Sequence, residues 1–102
     1  MTTIVVLFNL QAGVDENVYR QWATETDIPT AGGLASVESF EVLKSEGVLM
    51  SETTPPYQYI EILKINDMDQ FGQDVATATM QKVASEFQQF ADNPIFIMTS
   101  KL

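Results

Sequence analysis

Residues Thr3 to Leu10 read T-I-V-V-L-F-N-L, without one charged side chain, and end at Gln11-Ala12-Gly13. A short uncharged run of Ile, Val, Leu and Phe closed by turn residues reads as a central strand buried on both faces. In a chain of 102 residues that is a strong demand, because helices covering one side of a sheet leave the other side to be covered by something else. The expected organisation is one domain over residues 1–102, with no linker, internal repeat or low-complexity tract.

Downstream, helix and strand signals alternate. Asp15 offers an N-cap with Glu16 in the first turn, and Val14 and Tyr19 fit a hydrophobic staple. Val18, Tyr19, Trp22 and Ala23 mark one face of a helix from about Glu16 to Glu25, after which Pro29 and Gly32-Gly33 predict a loop. Leu34 to Glu46 has strand composition. From Gly47 a connection runs to Pro55-Pro56 and carries the apolar stretch Gly47-Val48-Leu49-Met50. In the strand Tyr57 to Ile65, Tyr57, Tyr59, Glu61 and Leu63 share one face, with Ile60 and Ile62 on the other. Asp67 to Gln70 resembles a capping box opening a short helix, and Met80, Val83, Ala84, Phe87, Phe90 and Ala91 keep helical spacing through a second one. Asp92-Asn93-Pro94 should stop it, with Ile95 to Met98 beginning a last strand.

This order is βαββαβ, an α+β ferredoxin-like fold with a four-stranded antiparallel sheet and both helices on one face. Leu7, Val37, Leu43, Tyr59 and Ile97 would then lie on the uncovered side, a face best closed by a second copy of the chain packed sheet to sheet. The expectation is a homodimer, with the Gly47–Met50 stretch as an arm across the partner.

Composition restricts the chemistry. There is no Cys and no His, which removes thiolate and imidazole catalysis, zinc and iron–sulfur sites and imidazole haem ligation. With 14 Asp+Glu against 5 Lys+Arg, the net charge of −9 argues against nucleic acid and anionic membrane surfaces as partners. Met1-Thr2-Thr3 ahead of the apolar run lacks the basic start of a signal segment, so a cytoplasmic location is expected. Asp67, Asp69 and Asp74 lack the glycine of a calcium loop, and no metal or other cofactor is expected.

Carboxylates and phenols remain. Glu61 sits between Ile60 and Ile62 in a strand that should be central, where burial would raise its pKa and make it a general acid or base near neutral pH; it could equally pair with Lys or Tyr and fix a dimer register. Tyr59 shares its face and could orient it, or simply pack its ring. Ser39 and Glu41 form a polar pair on the preceding strand, in phase with Val37 and Leu43; Glu41 could approach Glu61 and split the two pKa values, or be solvated. Tyr19 and Trp22 could wall a flat ligand or be core. Asn9 is a candidate donor or a turn former, and Asp27 could line a pocket mouth or cap a loop.

Tyr19-Arg20-Gln21-Trp22-Ala23, Asp27-Ile28-Pro29, Leu34 to Leu43 and, most specifically, Pro55-Pro56-Tyr57-Gln58-Tyr59-Ile60-Glu61-Ile62-Leu63 resemble the RedY-like family of the dimeric α+β barrel superfamily. The resemblance covers nearly the whole chain. It implies a role in prodiginine-type secondary metabolism, as an antibiotic or pigment biosynthetic protein acting on a pyrrole- or indole-like intermediate. Joined to the residues, it suggests a cofactor-free catalyst that condenses or cyclises an aromatic nitrogen heterocycle. Glu61 would be its acid/base, Tyr59 would orient Glu61, and Tyr19 and Trp22 would hold the ring. A fixed carboxylate would also stabilise positive charge developing on such an intermediate. Two other readings stay open: a non-catalytic carrier that protects a pyrrole intermediate, and a cofactor-independent monooxygenase.

Overall fold

The uncharged run lies where its composition demands, inside a sheet. In the computed structural model, which describes residues 1–102, β1 (Thr2–Leu10) is followed by α1 (Glu16–Trp22), a π-helical turn (Ala23–Asp27) and α2 (Ile28–Gly32). Then come β2 (Val37–Lys44), β3 (Tyr59–Ile65), α3 (Met68–Val75), α4 (Ala78–Phe90) and β4 (Ala91–Ser100). The strands are ordered β2-β3-β1-β4 and all pair antiparallel, so β1 and β3 are the interior strands. The architecture is the α+β ferredoxin-like one, with the helices on one face.

The caps follow from the sequence. The Asp15 carboxylate accepts from the Asn17 N–H at 2.8 Å, and Asp67 accepts from the N–H groups of Asp69 and Gln70. The second half of the capping box is absent, because the Gln70 amide donates to Asp74 Oδ1 at 2.8 Å instead. Asp74 also accepts from the backbone N–H and the hydroxyl of the fully buried Ser36, tying α3 to the segment ahead of β2.

Two local expectations are corrected. No loop follows Glu25: the helical path continues through the π turn into α2, with Pro29 placed directly after the π turn, in the first turn of α2. Nor does β4 wait until Ile95. It starts at Ala91, directly after α4, and absorbs Asn93 (φ 46°) and Pro94 in an irregularity opposite Leu7 and Asn9.

The helix-facing side of the sheet carries Ile4, Val6 and Phe8 of β1 and Tyr59, Leu63 and Ile65 of β3, all buried. Each large apolar side chain buried there contributes about 1.5–3 kcal/mol. Phe8 is the hub: its ring stacks on Tyr59 at 5.7 Å and meets Phe87 and Tyr19 edge-on at 5.0 and 5.9 Å. Val37 and Tyr59, expected on the uncovered face, belong to this core. A bulge between Val37 and Ser39 explains the first, since one extra residue inverts the phase of everything after it. Phe40 and Val42 thereby turn toward the helices while Glu41 and Leu43 turn away. The opposite face is left apolar and uncovered across Val5, Leu7, Leu43, Ile60, Ile62, Ile95 and Ile97, with Leu43 and Ile97 exposed. The connection between β2 and β3 projects with Leu49 and Met50 more than nine-tenths exposed. No helix is long and apolar enough to cross a membrane.

Candidate functional site

Between the sheet and the helices lies a cavity of about 480 Å³. Of its 16 lining residues 13 are hydrophobic, and the three that are not are Asp27, Glu61 and Gln88. Its floor is Ile4, Val6, Glu61 and Leu63; Met80, Val83 and Phe87 of α4 form its roof, with Phe40, Phe71 and Phe96 at the sides. It reaches the surface beside β4, where Phe96 and Met98 are exposed, and at Met68 of α3.

Glu61 arrives in the cavity by strand alternation. Its register neighbours are Val6 on β1 and Val42 on β2, so its carboxyl group lies on an otherwise apolar floor. It is 5% exposed, and its Oε2 has no hydrogen-bond partner. Burial, helped by the nearby Asp27 charge, pushes its pKa from 4.5 up to about 8.

Asp27 reaches the same cavity through the π turn. Tyr19, Ala23, Asp27 and Ala31 are all buried, each four residues after the last. In a regular α-helix a four-residue step overshoots a full turn by about 40°, so three steps would carry Ala31 about 120° away from Tyr19. The wider π turn takes up that surplus and keeps all four on the sheet-facing side. Burial alone raises the Asp27 carboxyl from 3.8 to about 7. Tyr19 itself does not line the cavity; its hydroxyl is fully buried and also without a partner. Burial raises its pKa strongly, and the charges of Glu61 and Asp27 raise it further, in that order.

The remaining candidates fall elsewhere. The Tyr59 hydroxyl does not engage Glu61: it donates to Glu16 Oε1 at 2.7 Å and accepts from Arg20 Nε at 3.2 Å, on the far side of the Phe8 stack. Lys44 and Arg20 converge on that Glu16 oxygen at 2.5 and 2.8 Å, and hydrogen bonds from Lys44 and Tyr59 hold its carboxyl down at about 2. Glu41 pairs with Ile62 and Ser39 with Lys64, on the sheet face opposite Glu61, again because of the bulge. The second carboxylate beside Glu61 is therefore Asp27, not Glu41. Trp22 does not line the cavity; it packs on Phe87 and Phe90 and donates from Nε1 to Glu86 at 3.1 Å. Asn9 brackets the return of the long connection, donating to the Pro56 carbonyl and accepting from the Gln58 N–H. The aromatic walls are instead Phe40, Phe71, Phe87 and Phe96, whose spacing in the sequence reads only as core.

The family model described as REDY-like protein HapK matches residues 2–102. The chain belongs to the REDY-like HapK family. This family member superposes on the crystal structure of HapK from Hahella chejuensis with a TM-score of 0.78 at 26% identity, covering 100% of this chain and 93% of that one. An Arabidopsis thaliana protein matches with a TM-score of 0.81 at 13% identity, over 100% of this chain and 96% of that one. A dimeric ferredoxin-like protein of unknown function from Thermobifida fusca matches at 0.76 and 8% identity, over 98% and 90%. The last two likenesses concern the fold alone. Among curated proteins nothing matches the REDY-like chain.

Proposed function

We infer that this chain acts in secondary metabolism as a cofactor-free acid/base catalyst, promoting condensation or cyclisation of an aromatic nitrogen heterocycle. The observation that carries this reading is the partnerless Glu61 carboxyl in an apolar cavity, beside a second raised carboxyl, Asp27. Two close acids cannot both ionise easily, so over the neutral range they hold one proton between them. One member can then donate while the other accepts. Glu61 moves the proton and Asp27 tunes it. Tyr59 helps only through its ring, which packs on Phe8 and helps fix the strand bearing Glu61. A flat heterocycle would lie among Phe40, Phe71, Phe87 and Phe96. Membership of the REDY-like family supports the biosynthetic setting.

The protein works as one unit over residues 1–102 and as a homodimer closed on the apolar sheet face; the dimeric description of the Thermobifida fusca protein supports the pairing. The strongly apolar lining also favours a second reading, a carrier that shelters a pyrrole intermediate without transforming it.

One experiment separates the two. Ring C–H exchange of 2-methylpyrrole in D₂O, followed by proton NMR, should be accelerated by the protein, and Glu61→Gln should lower that acceleration by about 10²-fold or more. Saturable binding with no acceleration leaves the carrier, and unchanged exchange in Glu61→Gln removes Glu61 as the catalytic residue.

A further inference from the structure

The cavity has a charge imbalance of its own. Two carboxyl groups line it, and not one of the chain's five Lys+Arg side chains does. Arg20 and Lys44 are committed to Glu16, Lys64 lies on the opposite face of the sheet, and Lys82 and Lys101 are exposed. Nothing in the protein supplies the counterion that a buried carboxylate needs. Glu61 is about nineteen-twentieths buried and still has an oxygen without any partner. The walls that face this acid pair are aromatic, and aromatic faces attract cations as well as apolar bodies.

We propose that the ligand of this cavity is an organic monocation: a protonated amine, amidine or iminium nitrogen on an apolar body, seated between Asp27 and Glu61 as their missing counterion. The proposal rests on the same site as the acid/base reading and names its ligand class. In the free protein the acid pair avoids its charge by keeping protons. A bound cation makes the ionised form favourable, so the ligand keeps its own proton and the pair releases one to solvent. The groups facing Glu61 are Asp27 and Tyr19 from the helical segment. From β1, β2, α3, α4 and β4 only neutral side chains line the cavity, Gln88 among them. No other charge competes for the ligand.

The test uses 3-phenylpropylamine, a cation throughout the range studied, against its neutral counterpart 3-phenylpropanol, by titration calorimetry from pH 6 to pH 9. The amine should bind at least tenfold tighter than the alcohol at pH 8, and its affinity should rise with pH while the alcohol's stays level. Repeating the titration in buffers of different ionisation enthalpy should show proton release with the amine only. Asp27→Asn and Glu61→Gln should each weaken the amine at least tenfold and leave the alcohol unchanged. Equal binding of amine and alcohol to the unaltered protein, or no binding of the amine at millimolar concentration, overturns the proposal, and neither comparison needs a variant to fold. Cation selectivity without accelerated pyrrole exchange would sink the catalytic reading and keep this one. Accelerated exchange without cation selectivity would do the reverse.

Discussion

Glu61 ties stability to pH as well as carrying the site. Its folded pKa of about 8 and that of Asp27 of about 7 lie above the values of 4.5 and 3.8 that such groups have when solvated. Between those limits the folded chain holds more protons than the unfolded one, so stability present below about pH 4 is lost as pH rises through 7 and 8. The melting temperature should therefore fall from pH 5 to pH 8 and level off above it. Glu61→Gln, which carries the neutral form permanently, should remove about half of that slope, leaving the share due to Asp27, and gain on the order of a few kcal/mol at pH 8. A variant whose melting temperature still falls as steeply would show that Glu61 is ionised in the folded protein. The exceptional position of Glu61 was readable from its apolar neighbours Ile60 and Ile62. The separation of Tyr59 from it was not, because it depends on Glu16 and Arg20 arriving from a helix some forty residues earlier in the chain.

At the level of elements, strand and helix order is visible in the apolar patterning, whereas two single-residue phase changes are not. The bulge after Val37 and the π turn after Trp22 each alter which way the following residues point, and neither carries a composition mark. Both decide the site: the bulge removes Ser39 and Glu41 from it, and the π turn brings Asp27 in. The C-terminal end of α2 has its own tight constraint. A Cβ at Gly33 would come within 2.8 Å of the Pro29 carbonyl oxygen, closer than packed atoms tolerate. Gly33→Ala should thus destabilise the fold by about 1–3 kcal/mol in urea titration, although replacing glycine by alanine usually limits the unfolded chain and stabilises. A neutral or stabilising result would mean that α2 can shift, and with it the approach of Asp27 to the cavity.

Across the whole molecule, the apolar open face and the net charge of −9 oppose each other when two copies meet. Burial favours sheet-to-sheet pairing, while like charges on both partners resist it over a screening length of about 30 Å at 0.01 M salt and about 8 Å at 0.15 M. Sedimentation should accordingly show tighter association as salt rises. Ile97→Asp, a charge on the open face opposite Val5, should yield a folded monomer with an unchanged near-ultraviolet spectrum of Trp22. Dimers persisting in that variant would place the interface elsewhere. The apolar face was foreseeable from the uncharged first strand; its composition was not, since Tyr59 and Val37 turned inward. The cavity lies on the other side of the sheet from that face, between the sheet and the helices. A pair of protomers closed on that face would hold two cavities back to back, with both sheets between them. Crippling one should halve the output of the pair and leave the other's pace untouched.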